Sequence, residues 1–319
     1  MRLKRKGIVI TPADLPGANW PERMCELNLN LLGIHSGGGA VHDVLEVLGD
    51  TIGEPFRRSV ADLNLELEYE VHAAGSLMPR ERFAAHPDWF VQNWKYLDRR
   101  PEGNWCLHSP GARQEIVDNA KRLAKAMKPS TGRIFFWGAD VMYSYCHCAD
   151  CCRYTPAEQN LMTANLFAEA LREVIPNVKV ACLIYAGEAF EVPRKVRPAP
   201  GVFLEFAPMN HCYVHALNDP NCAVNRNYWR VLNECLEVFD PAEAHVLEYW
   251  LDSSYYCFER HHPRAKVIFN PEHVERDVEL YCSLGITSMT TFAVNMDSDY
   301  FETWGDKDLR SYAQILNRV

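Results

Sequence analysis

Arg133-Ile-Phe-Phe-Trp-Gly-Ala-Asp140, followed at once by Val141-Met-Tyr-Ser-Tyr-Cys-His-Cys-Ala-Asp-Cys-Cys152, decides the reading of this chain. The apolar run 134–137 is a strand of the buried type, since its residues show no polar alternation. A carboxylate stands just past its end at Asp140, where α/β enzymes place their chemistry, and a dense thiol cluster follows. Working outward, similar apolar runs occur at 7–11, 31–35, 65–72, 179–185, 202–206, 245–250 and 288–294, making eight strands with 133–140. Amphipathic helical patterns fall between them at 20–28, as a pair across 41–62, and at 112–127, 156–174, 228–239 and 271–284.

Helix boundaries are signalled locally. Thr155-Pro156-Ala157-Glu158 combines a capping box with a first-turn proline, and Asn270-Pro271-Glu272 repeats the logic. Gly285 stands where a left-handed C-cap is expected. The interval 187–200 carries no convincing helix. Strands alternating with helical crossovers, eight in number, predict an α/β fold, a single (β/α)8 TIM barrel spanning 1–319. The irregular stretch of about 73–109, rich in Pro, Arg and Trp, is expected to form a lid-like insertion after strand three. A doubly wound sheet is the alternative. Thr11-Pro12-Ala13-Asp14 after strand one is not its phosphate loop, and the run Ser36-Gly37-Gly38-Gly39 lacks the required glycine spacing.

Composition sets outer limits. The 319 residues are 48% hydrophobic and 24% charged, enough to bury a large core. A net charge of −9 offers no basic face to a nucleic acid. The basic run 2–6 leads into an apolar strand too short for a signal-peptide core or a membrane span. The expectation is a cytoplasmic protein with no nucleic-acid or membrane partner and room for a homo-oligomer. Of the twelve cysteines, Cys25, Cys182, Cys235 and Cys282 sit in apolar patterns, where a reduced thiol packs as a small hydrophobe.

A TIM barrel places function at the C-terminal ends of its strands. Those positions hold His35, then Glu70 and His72, Asp140 with Tyr143 beyond it, Tyr185, Glu205 leading to His211, Glu248 with Trp250 and Asp252, and Asn295. Acids, imidazoles and aromatics around an apolar barrel suit a sugar: polar groups bond hydroxyls and aromatic faces stack on pyranose rings. Glycosidic cleavage requires two carboxyl groups. Asp140 as general acid and Glu248 as nucleophile or base are the expected pair, because a charge inside the apolar run 246–250 is costly without a reason. Glu205 shares that oddity and stands as an alternative to either.

The thiol cluster has knuckle spacing. Cys148 and Cys151 are separated by two intervening residues, Cys146 adds a third thiolate, and Cys106 is the expected fourth, with Cys152 or His147 in reserve. A structural zinc is one reading; reduced or disulfide-bonded thiols and an iron–sulfur centre are the others. No cofactor is expected for catalysis.

Several strings carry a family resemblance: Tyr69-Glu-Val-His72, Leu77-Met-Pro-Arg80, His86-Pro-Asp-Trp-Phe90, Cys146-His-Cys-Ala-Asp-Cys151, Leu247-Glu-Tyr-Trp-Leu-Asp252 and Thr291-Phe-Ala-Val294. From about Thr11 to Leu309 the chain resembles the glycoside-hydrolase-like barrel family catalogued as domain of unknown function 4838. The resemblance implies a (β/α)8 barrel related to carbohydrate-active enzymes. Trp137-Gly-Ala-Asp140 is also similar to the strand-four Gly-Gly-Asp-Glu of family 20 hexosaminidases, but Val141 stands where that family has its acidic glutamate. That departure argues against substrate-assisted chemistry. The expected activity is cleavage of a small oligosaccharide or glycoside by two carboxylates. A non-catalytic carbohydrate-binding barrel is one alternative. The other is a metal-dependent lyase or isomerase on a sugar, with Glu205, His211 or Glu248 as ligands.

Overall fold

The computed structural model describes residues 2–38, 42–256 and 261–319. Gly39 and position 41, read above as part of a glycine run and a helix start, lie outside the described residues. The strands are β1 (Arg5–Ile10), β2 (Leu31–His35), β3 (Glu66–His72), β4 (Phe90–Gln92), β5 (Arg99–Trp105), β6 (Arg133–Trp137), β7 (Lys179–Ile184), β8 (Val202–Phe206), β9 (His245–Glu248) and β10 (Ser288–Phe292). Eight of them close into a barrel in the order β1-β10-β9-β8-β7-β6-β3-β2, while β4 and β5 pair separately as an antiparallel hairpin. Barrel strands β1 and β10, β1 and β2, β9 and β10, and β3 and β6 pair in parallel, as crossover connections demand. The chain divides into two compact units, one of residues up to 35, 53–68 and 204–319, the other of 36–52 and 69–203.

The crossovers are α1 (Trp20–Glu26), α2 (Val44–Leu48), α3 (Glu54–Asp62), α5 (Pro110–Met127), α6 (Pro156–Leu171), α7 (Asn225–Leu236) and α8 (Pro271–Ser283), with a short α4 (Ala74–Leu77) after β3. Thr155 Oγ1 accepts from Glu158 N while Glu158 Oε2 accepts from Thr155 N, so the capping box is formed. Asn270 Oδ1 accepts from His273 N and starts α8. Gly285 ends it at φ +92°, with Ile286 N donating to the Tyr281 carbonyl.

Three features differ from the sequence expectation. The chain ends with two further helices, α9 (Ser298–Trp304) and α10 (Lys307–Arg318). Leu309, Tyr312, Ala313, Ile315 and Leu316 form the buried stripe of α10 at helical spacing. Segment 73–109, expected to be irregular, contains α4, two 3-10 turns and the β4–β5 hairpin. Strand β6 stops at Trp137 instead of 140 because its backbone is diverted: the Gly138 carbonyl accepts from the His72 imidazole, and Ala139 N donates to Asn104 Oδ1 at 2.7 Å. Between β7 and β8 only a 3-10 turn, Gly187–Ala189, interrupts the coil, which agrees with the missing helical pattern. No helix among the described residues is long and apolar enough to cross a membrane.

Side-chain parity fixes which strand residues meet the helices. In the unit that holds β9, the Glu248 carboxylate meets Tyr281 of α8, and the Trp250 ring lies 6.1 Å from that of Tyr312 on α10. That face is the outer, helix-covered one. Glu205 pairs in register with His245, and His245 with Ser288, so these three share the opposite face. In the other unit Phe136 contacts Phe167 of α6, whereas Glu70 is in register with Phe135 on the opposite face.

Candidate active site

The unit built on β3, β6 and β7 holds a cleft of about 290 Å³ at the ends of these strands. His72, Trp137, Asp140, Tyr143, Tyr185 and Glu188 line it. His72 Nδ1 donates to the Gly138 carbonyl at 2.9 Å, which leaves Nε2 as the acceptor of the ring. Burial lowers the His72 pKa, and the nearby Asp140 charge only partly opposes this, so the imidazole is held neutral. Its ring meets Trp137 edge-on at 5.0 Å. Tyr143 sits in the left-handed region at φ +59°, a strained place for a tyrosine, and half of its surface is exposed on the cleft rim.

Asp140 is exposed and projects from the loop beyond β6. Gly38 approaches it so closely that a β-carbon there would lie 2.6 Å from Asp140 Oδ2. Only glycine leaves the carboxylate in place. Gly38→Ala is expected to push that carboxylate aside and reduce turnover by about tenfold or more, since ångström-scale misplacement of a reacting group is that costly. Unchanged turnover in Gly38→Ala would show that the loop is not a constraint on Asp140.

Glu188 was not among the residues expected from sequence. It lies three residues past Tyr185, in the interval without a helical pattern, and the strand-end rule that selected Asp140 applies to it equally. Glu188 Oε1 accepts from Ser144 N at 2.8 Å, which ties the β7 loop to the β6 loop. Burial raises its pKa above the ordinary carboxylate value, outweighing the Ser144 bond and the His147 charge. The cleft therefore joins an exposed carboxylate with a second one biased toward its protonated form.

The remaining expected residues occupy other surroundings. Glu70 is fully buried, on the same strand face as His72. In the other unit, His35 packs edge-on against Phe292 at 5.1 Å and Glu205 is fully buried beside His245 in register. Glu248 is also fully buried. Tyr281 donates to its Oε1 at 2.5 Å, and His211 Nε2 stands 3.4 Å from Oε2. Burial alone would lower the His211 pKa, but the Glu248 carboxylate turns the net shift upward. Trp250 shares this helix-facing side, and Asn295 donates its N–H to Asp14 Oδ1 at 3.2 Å. Asp140 and Glu248 thus belong to different units, and the Glu248 carboxylate is occupied by a helix tyrosine and an imidazole.

Asp252 caps the turn after β9 by accepting from Ser254 N and Oγ at 2.9 and 2.6 Å. Burial pushes its carboxyl up to about 6, against the opposing Ser254 bonds. Between its ordinary value of 3.8 and about 6 the folded chain keeps a proton that the unfolded chain has lost. Unfolding free energy should therefore fall as pH rises through this window, by about 3 kcal/mol from this residue. Asp252→Asn should abolish that component. Urea unfolding at about pH 3 and pH 7.5, which bracket the window, measures it, and parallel profiles for parent and variant would refute it.

Among the described residues three clusters have the donor chemistry of metal sites, the least buried being Cys212, His215 and Cys222. Cys106, Cys146, Cys148 and Cys151 are all buried, with their sulfurs within 4.8 Å of one another. Hydrogen bonds from Cys146 and Cys151 pull the Cys106 thiol far down, and the same sharing pushes Cys151 up. Cys152, held in reserve, is exposed and bonds the Ala149 carbonyl. The other buried cluster is His211, His273 and Asp277, with ligand atoms within the same limit. It borders a cavity of about 350 Å³ whose walls include Tyr213, Trp250 and Tyr255.

Fold comparison sets the chain among barrels of the glycoside hydrolase type. A β-N-acetylhexosaminidase from Bacteroides fragilis NCTC 9343 superposes with TM-score 0.57 at 10% identity, over 98% of this chain and 66% of that one. A chitinase from Rhizomucor miehei gives 0.57 at 10%, over 98% and 100%. A catalytic mutant of Gan42B, a GH42 β-galactosidase from G. stearothermophilus, gives 0.56 at 12%, over 98% and 56%. At such identities the likeness is one of fold. The chain belongs to the family described as Domain of unknown function (DUF4838), whose model matches residues 54–313. No curated protein matches the sequence.

Proposed function

We propose that the chain is a glycoside hydrolase whose reaction occurs in the cleft of His72, Trp137, Asp140, Tyr143, Tyr185 and Glu188. The observation that carries this reading is the presence of two carboxyl groups of unlike surroundings in one aromatic-walled cleft. Glu188, partly buried and biased toward its protonated form, serves as general acid to the leaving oxygen. Asp140, exposed on the facing loop, acts as nucleophile or as base toward water. This changes the pairing expected from sequence, in which Asp140 was the acid and Glu248 its partner. Glu248 serves instead as an internal support between β9 and α8. Tyr143, Tyr185 and Trp137 offer faces for a pyranose ring, and the neutral His72 accepts from a hydroxyl.

Chitinase- and hexosaminidase-type relatives of the fold make chito-oligosaccharides and aryl N-acetylglucosaminides the first substrates to assay, followed by aryl galactosides and glucosides. Release of reducing ends that Asp140→Asn abolishes supports the proposal. Binding without cleavage across the panel would replace it with a carbohydrate-binding barrel. A second reading, a metal-dependent lyase or isomerase, is favoured by the His211, His273 and Asp277 cluster beside its own cavity. Activity lost on chelation, restored by a divalent ion, and absent in His273→Ala would select it.

A further inference from the structure

The geometry points to a structural zinc ion held by Cys106, Cys146, Cys148 and Cys151, a site separate from the cleft chemistry proposed above. The sulfur spacings fit the ion. Zinc–sulfur bonds of about 2.3 Å in a tetrahedron place sulfurs about 3.8 Å apart. Cys106 Sγ lies 3.7 Å from Cys148 Sγ and 3.8 Å from Cys151 Sγ, and all four sulfurs fall within 4.8 Å of one another. These separations are far beyond the roughly 2.05 Å of a disulfide and match tetrahedral edges.

The ligand set fits as well. Four thiolates close the coordination sphere and leave no position for water, which is the arrangement of a structural ion rather than a catalytic one. Cys148 and Cys151 supply the short knuckle spacing on one loop, and Cys106 reaches in from the end of the β4–β5 hairpin. Outer contacts orient the ligands: Gln92 N donates toward Cys146 Sγ at 3.4 Å, and His108 Nδ1 lies 3.3 Å from Cys151 Sγ. Gln159 of α6 holds the loop backbone, accepting from Cys146 N and donating to the Cys146 and Cys151 carbonyls.

An ion at this place also has a structural task. The hairpin and the 146–151 loop are distant in sequence, and among the described residues the buried apolar cluster around the sulfurs adds Val91 to the four cysteines. An ion there clamps the hairpin to the loop that carries one wall of the cleft. Asn104, two residues before Cys106, then braces both Ala139 N and the Ser144 carbonyl. Zinc is thus a positioning device for the Asp140 loop.

The test uses the full chain purified under reducing conditions without added metal. Elemental analysis by mass spectrometry should find about one zinc per chain, released in step with titration of four thiols by a mercurial. Cys106→Ser and Cys148→Ser should each retain less than a tenth of the zinc, whereas Cys152→Ser and His273→Ala should retain all of it. Should the serine variants fail to fold, Cys148→His, which keeps a zinc donor, should restore both solubility and metal. Cobalt exchanged into the parent should give the absorption of a tetrahedral thiolate complex. Absence of metal, iron in its place, or zinc that survives Cys148→Ser or disappears in His273→Ala would overturn the assignment.

Discussion

Asp140→Asn should lower kcat by roughly 10²–10⁴-fold, the range carried by a positioned acid, base or nucleophile, with little change in folding stability. Exposure of the side chain is the reason. Asp140 is solvent-accessible and is closely approached by Gly38, so amide replacement removes charge without opening a void. Glu188→Gln should behave differently. Its carboxyl is raised by burial, and the acid must be protonated to act, so the parent should lose activity as pH rises through the Glu188 titration. Glu188→Gln should erase that alkaline limb and leave residual turnover that is flat over the same pH range. Aryl glycosides with good leaving groups, which need little protonation, should lose much less in Glu188→Gln than poor ones. Equal losses for both leaving-group classes would remove Glu188 from the role of acid. Full activity in Asp140→Asn would end the assignment of the cleft.

Much of the fold was legible because its signals are local. Short strand-like patterns, continuous apolar at 134–137 and alternating at 65–72, marked all eight barrel strands, and Thr155, Pro156, Asn270 and Gly285 marked helix ends through their own backbone preferences. The cysteine group was legible for a similar reason: Cys146, Cys148 and Cys151 are close in sequence, and Cys106 was the remaining cysteine in the adjoining insertion. What could not be read was orientation. Strand parity told that Glu248 and Trp250 share a face, but not that this face meets α8 and α10, because nothing in the apolar run 246–250 distinguishes inside from outside. Glu188 escaped notice because a coil interval offers no periodicity to place it. The helices α9 and α10 escaped because the strand count was already complete at eight.

That question of orientation yields a prediction with a large thermodynamic effect. Glu248→Ala should destabilise the fold by about 3–5 kcal/mol, the usual cost of removing one partner from a buried charged network. Three losses combine. The Tyr281 hydroxyl, fully buried and bonded to Glu248 Oε1, is left without its acceptor. The imidazole of His211 loses the carboxylate that raises its pKa. The space of the side chain is left between β9 and α8, where the surrounding strand and helix relax only partly. Glu248→Gln keeps an oxygen for Tyr281 and fills the same volume, so it should cost much less and leave kcat of the folded protein within a few-fold of the parent. Tyr281→Phe should cost about 1–3 kcal/mol, and the pair of changes should be less than additive because both delete one bond. A nucleophile would give the opposite pattern: Glu248→Gln with unchanged urea midpoint and kcat reduced by orders of magnitude. Measuring both quantities on the same preparations therefore decides whether this carboxylate serves the sugar or the wall of the barrel.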